Sequence, residues 1–193
     1  MPLDKPAQRQ PVHRREITCE GFLREDGLID IEASLVDRKP FDFPNKDRGG
    51  VIRAGEPLHG MNVRITIDRQ LTIQDAQAAM DDTPYDYCKS IAGVFKKLVG
   101  LQIKPGFRGR VRNLMGGVKG CTHLTELLTP VTTTAIQTLG SVDTNNPTES
   151  KEDIQARHAR YVLNSCHAHA DHGPVVKEHW PQYFREQDKA SDN

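Results

Sequence analysis

Cys121, His123 and Glu126 fall within six residues of one another in the stretch Gly-Cys-Thr-His-Leu-Thr-Glu. Sulfur, imidazole and carboxylate form a donor set that zinc or iron accepts. The same three groups are a nucleophile with an acid–base pair. The preceding Gly116-Gly117-Val118-Lys119-Gly120 reads as a flexible loop ending at a helix N-terminus. Free backbone N–H groups and the positive end of the helix dipole favour an anion there, which lowers the pKa of Cys121. Lys119 adds a positive charge, and Lys119 with Gly120 would line a cofactor's approach. Thr122 and Glu126 share a face at i and i+4, bringing a carboxylate to the His123 side of the helix. A plainer reading stands beside these: Cys121 as a small buried residue against Leu124, with His123 and Glu126 solvated or capping.

Cys88 is the second cysteine at a predicted helix start, on the face of Ile91, Phe95 and Leu98. As a metal ligand with Cys121 and His123 it requires the two helix starts to meet, and the intervening chain is long enough; otherwise it packs. His59, in Glu-Pro-Leu-His-Gly, sits where the chain enters the third predicted strand and could approach those helix starts, or remain a surface loop histidine. Cys19 alternates with Ile17 and Gly21 on a strand and reads as packing. His167-Ala-His169-Ala-Asp171-His172 matches the H-x-H-x-D-H metal signature of metallo-β-lactamase-type hydrolases. There the motif lies on a loop; here the pattern places it in the last turns of a helix. At about 100° per residue, His167 and His169 would point about 200° apart and could not chelate one ion. Only 21 residues follow His172, too few for that fold's remaining ligands. Cys166 and His169, at i and i+3, share a face with Val162 and could ligate a metal; the plainer reading is a buried Cys beside a solvated His.

The elements that must position these groups follow from periodicity. Ile29, Ile31, Ala33 and Leu35 alternate with Asp30, Glu32 and Ser34, a half-buried strand whose hairpin partner is 13–23 through Glu25-Asp26-Gly27. Val63, Ile65 and Ile67 alternate likewise and turn at 68–70 into Leu71-Thr72-Ile73. Four strands in a meander with one wet face result, with 40–60 as a surface loop. After Thr83-Pro84 the period becomes helical, with Ile91, Val94, Phe95 and Leu98 on one face. A shorter helix carries Phe107, Val111 and Leu114 and stops at Gly116-Gly117. A third starts near Cys121 and kinks or restarts at Pro130; 141–148 reads as a linker. A last helix starts at Ser150 with Asp153 as its capping partner and runs to Gly173-Pro174. Strands first and helices after predict an α+β fold: an antiparallel four-stranded meander followed by three or four helices packed on one face. The predicted layout is a lead-in over 1–12, one domain over 13–184 (meander 13–82, helical part 83–184), and a tail over 185–193.

Lys+Arg and Asp+Glu are equal at 26 each, so no single-sign field holds a nucleic acid or an anionic membrane. No apolar run reaches the roughly 20 residues of a membrane span, and the first 13 residues lack a secretion signal's apolar centre. A cytoplasmic protein with free thiols is expected, since the four cysteines show no C-x-x-C spacing.

The stretch GGVKGCTHLTELLTPVTTTAIQTL, with DGLIDIEASLVDRKPFDF, GEPLHGMNVRITID, TIQDAQAA and GLQIKPGF, resembles a bacterial family catalogued as domain of unknown function 2889, from about residue 13 to 180. That resemblance brings no activity with it. In layout the chain is also similar to iron–sulfur cluster scaffold proteins, where cysteines at helix starts behind a β-meander gather a cluster or zinc. This likeness implies Cys88 and Cys121 as the first and last of those cysteines; the middle one is absent, and Gly120 replaces the histidine before the last. The sequence therefore points to a metal or a reactive thiol where Cys88, Cys121, His123 and Glu126 converge, in a catalytic or cofactor-handling accessory protein. Two alternatives remain: a non-catalytic subunit docking on a larger enzyme through its helices and Trp180, and a small-molecule enzyme using His123 and Glu126 without metal.

Overall fold

The computed structural model describes residues 3–186, and the fold is α+β. Expectations for residues 1, 2 and 187–193 fall outside the described residues; 3–12 are exposed and form no helix or strand. By its contacts the chain falls into two compact units, Met1–Leu139 and Gly140–Asn193.

The first unit is built on a four-stranded antiparallel sheet in the order β1-β2-β5-β6, from β1 (Arg14–Leu23), β2 (Ile29–Arg38), β5 (Pro57–Ile67) and β6 (Ile73–Asp82). β1 and β2 form a hairpin with Leu23 opposite Ile29, its turn closed by Gly27 at φ 83°. Alternation decides the buried face: Ile29, Ile31, Ala33 and Leu35 are buried on β2, while Arg64 of β5 pairs with Glu32 at 2.6 Å on the other side. The predicted surface loop 40–60 holds structure of its own, a small hairpin of β3 (Phe43–Asn45) and β4 (Gly50–Ile52), and its last residues already belong to β5.

The fourth strand begins where the sequence pattern ends it. Leu71, at φ 59°, and Thr72 form the turn, with the Asp68 carboxylate accepting from the Gln70 and Thr72 amides. Ile73–Asp82 then pairs with β5, although Gln-Asp-Ala-Gln-Ala-Ala is a poor strand former. Pairing to a central strand outweighs that preference.

The predicted first helix is a 3₁₀ helix, Asp86–Leu98, entered through Tyr85 rather than Thr83. In a 3₁₀ helix residues three apart eclipse, so Phe95 and Leu98 share the buried face. The i, i+3 spacing in the sequence serves both helix types. α1 (Phe107–Met115) ends before Gly116, as the pattern predicts. α2 (Thr122–Asn145) is continuous: Pro130 lies inside it without ending it, and the predicted linker 141–148 supplies its last turn. Leu124, Leu127, Leu128, Val131, Ala135 and Leu139 of α2 are buried.

In the second unit, α3 (Lys151–Val162) starts at Ser150, whose hydroxyl accepts from the Asp153 amide at 3.1 Å. It stops eleven residues before the predicted Gly173-Pro174 signal. Asn164 takes the left-handed conformation, φ 55°, and clips the chain by donating to the His169 carbonyl and bonding Asp171. His167–His169 is therefore a 3₁₀ turn, and the helical argument against chelation does not apply to it. α4 (Pro174–His179) follows. Buried Asp143 of this unit accepts from Arg157 at 2.7 Å and His158 at 3.0 Å.

Candidate functional site: a buried aspartate, two adjacent histidines and a cysteine at a helix start

The buried alternation of β2 continues past Leu35 to Asp37, which is 1% exposed. Strand register brings its neighbours: Arg15 is opposite Asp37 on β1, and His59 is opposite Asp37 on β5. Directly opposed residues share a face. Arg15 therefore forks onto the carboxylate, Nε to Oδ1 and Nη2 to Oδ2, both at 2.8 Å. His13 Nε2 faces Oδ1 at 3.2 Å and His59 Nδ1 faces Oδ2 at 3.0 Å. An ionised carboxylate only accepts, so each of those ring nitrogens carries the hydrogen. Burial pushes the Asp37 carboxyl up, but the Arg15 hydrogen bonds and charge, with the nearby histidines, overcome it and hold its pKa at about 2.

The start of α2 closes the site over that row. Gly120 passes so close to Met115 that a Cβ would lie 2.2 Å from the Met115 carbonyl oxygen, and this close passage sets where Cys121 enters the helix. Cys121 stands at the N-terminus of α2: its carbonyl accepts from the Thr125 amide at 2.9 Å, and the backbone N–H groups of His123 and Leu124 act to lower its thiol pKa. Cys121 Sγ lies 3.9 Å from His123 Nδ1, and the other ring nitrogen, Nε2, lies 3.9 Å from Asp37 Oδ2. The His123 and His59 rings lie against each other with centroids 3.8 Å apart and planes tilted by 31°.

Opposite shifts follow along this chain of groups. Burial raises the Cys121 thiol, but the His123 hydrogen bond and the two backbone N–H groups bring it below the ordinary thiol value. His123 is raised, first by Cys121 and against the cost of burial. His59 is lowered, first by burial and then by the charge of His123. Together these shifts favour the charged forms of Cys121 and His123 and disfavour the charged form of His59, beside a carboxylate that stays ionised.

Of the residues singled out from sequence, Cys121 and His123 meet directly. Glu126 does not face His123; it accepts from Arg15 Nη1 at 2.6 Å and so reaches Asp37 through the guanidinium. Lys119 is exposed, its ammonium donating to the Asn113 carbonyl at 3.4 Å. Cys88 is half-buried on the 3₁₀ helix Asp86–Leu98. Among the described residues, the ligand group whose atoms lie within 4.8 Å of one another is Asp37, His59 and His123, and Cys88 is not in it. Cys166 Sγ lies 3.3 Å from His169 Nδ1 on an exposed turn, so this cysteine is not the buried one expected as the plainer reading. All four cysteines are free.

Asp37, Arg15 and His13 escape a reading by motif. The signal for Asp37 is its place in the alternation, an acid at the next core-facing position after Leu35. With Leu23 opposite Ile29, the hairpin register then sets Arg15 against it. No curated protein and no solved structure matches this chain. The sequence model of the family described as "Protein of unknown function (DUF2889)" matches residues 13–137, a span containing every side chain of this site from His13 to Glu126, and the chain belongs to that family.

Proposed function

We propose that the protein is a thiol-dependent enzyme of acyl transfer or hydrolysis, with Cys121 as nucleophile and His123 as its acid–base partner. The observation that carries this reading is the start of α2: Cys121 stands at the helix N-terminus and its sulfur faces the His123 imidazole at 3.9 Å. Thiolate is the nucleophilic form, and a helix start beside an imidazolium favours it. The Cys121 thiolate attacks a substrate carbonyl carbon, the bond to the leaving group breaks, and the proton on His123 Nδ1 passes to that group. Water then attacks the thioester, His123 Nδ1 accepts its proton, and the thiolate is released. Asp37, 3.9 Å from Nε2, stabilises the imidazolium by charge. His59 supports the ring from its face, and Arg15 with Glu126 keeps Asp37 in position.

The test is alkylation by iodoacetamide as a function of pH, followed residue by residue by mass spectrometry. Cys121 should label well ahead of Cys19, whose thiol burial pushes up. Its midpoint should lie below the ordinary thiol value and rise in His123→Gln. Incubation with p-nitrophenyl acetate should leave an acetyl group on Cys121. Labelling of Cys121 no faster than Cys19 at pH 7, or a midpoint indifferent to His123→Gln, overturns the reading.

A second reading, a zinc or iron centre, is favoured by the close ligand atoms of Asp37, His59 and His123. Against it, Arg15 twice, His13 and His59 take up the roughly four acceptor positions of the Asp37 carboxylate. A stoichiometric metal in the purified protein, lost in His59→Gln, would favour the metal.

A further inference from the structure

α1 and the first half of α2 enclose a cleft of about 310 Å³, the lower end of the range that small-molecule sites occupy. Its floor is apolar: Phe107, Val111 and Met115 of α1 and Leu128 of α2 line it, and each is at most 5% exposed. Its rim is cationic on the α1 side. Arg108 and Arg112 stand at i and i+4, so both guanidiniums lie on the flank of α1 that borders the cleft. Neither makes an ion pair or a side-chain hydrogen bond among the described residues. Two like charges at that spacing repel each other unless an anion lies between them.

On the α2 side the rim is Thr122, Thr125 and Thr129 with Glu126. Glu126 is the acid that would oppose an anion here, but its carboxylate already accepts from Arg15 at 2.6 Å. Thr125 is turned inward, its hydroxyl donating to the Cys121 carbonyl at 2.8 Å. The two free arginines thus set the character of the cleft mouth, over a floor with no polar side chain.

We infer that this cleft binds a small molecule with an apolar body and one carboxylate, the body on Phe107, Val111, Met115 and Leu128 and the carboxylate between Arg108 and Arg112. The planar guanidinium fork matches a carboxylate in two parallel hydrogen bonds, and the floor takes a short acyl chain or a ring. This site is separate from the thiolate: Cys121 and His123 do not line the cleft.

Isothermal titration of the full chain with hexanoate, hexan-1-ol and acetate tests it. Hexanoate combines body and charge, hexanol has the body alone, and acetate the charge alone. Hexanoate should bind about tenfold more tightly than either of the others, and added salt should weaken it. The exposed double variant Arg108→Gln/Arg112→Gln should lose about tenfold for hexanoate, leave hexanol unchanged and retain the parent melting temperature. Hexanoate that binds no better than hexanol, that ignores the double variant, or that does not bind overturns the inference. Alkylation of Cys121 is read without any of these probes, so failure here is distinct from failure of the thiolate reading.

Discussion

At the scale of single residues, the site is organised by one buried charge. Asp37 is 1% exposed, and its pKa is held at about 2 in the folded chain against 3.8 for an ordinary carboxyl. A depressed folded value means stability that is fully present above the unfolded pKa and lost as pH falls through the folded one. Asp37 should therefore contribute about 2 kcal/mol above pH 4 that disappears between about pH 4 and pH 2. Urea unfolding measured across that window checks it, and Asp37→Asn should flatten the acid limb. Removing the counter-ion is the complementary experiment. Arg15→Met leaves the carboxylate buried with only imidazole donors and should cost about 2 kcal/mol, less than the roughly 3–5 kcal/mol of a fully buried pair because Arg15 is one-third exposed. It should also free Glu126, detectable as altered Cys121 alkylation if the guanidinium positions Asp37 under His123.

At the scale of elements, α2 and β1 are locked together by small residues. A Cβ on Gly21 would lie 1.9 Å from Thr138 Oγ1, so the helix rests directly on the strand backbone there. Cys19 on the same face meets Thr134, and Arg15 meets Glu126. Gly21→Ala should cost about 1–3 kcal/mol by overpacking, and Thr138→Ala in the same chain should recover part of it. Thermal unfolding of the single and double variants measures this; additive effects would mean that the two residues do not touch. The sequence hides this contact because glycine in a strand and threonine in a helix each read locally as weak formers of their element. The same local view makes 74–82 unreadable as a strand and cannot tell the 3₁₀ helix Asp86–Leu98 from an α-helix. Pairing to β5 decides the first, and the eclipsed burial of Phe95 and Leu98 accompanies the second.

At the scale of the whole molecule, equal numbers of acids and bases put the isoelectric point near 7.1. Solubility should pass through a minimum close to that pH and rise on either side, as turbidity or precipitation assays would show. No helix among the described residues is long and apolar enough to cross a membrane. Alternation on β2 and β5, the Glu25-Asp26-Gly27 turn and the helical period after residue 83 suffice to determine an α+β fold, because each is a local pattern that one buried face enforces. The Cys121–His123 pairing is local too, since Cys121 immediately precedes the helix whose first turn holds His123. What only the tertiary structure decided is the company they keep. Asp37, Arg15 and His59 come from three strands, and a sequence does not display which strand lies beside which. Closing α2 over that row keeps water from the carboxylate, and the two histidines and the thiol acquire their opposed pKa shifts from being held together.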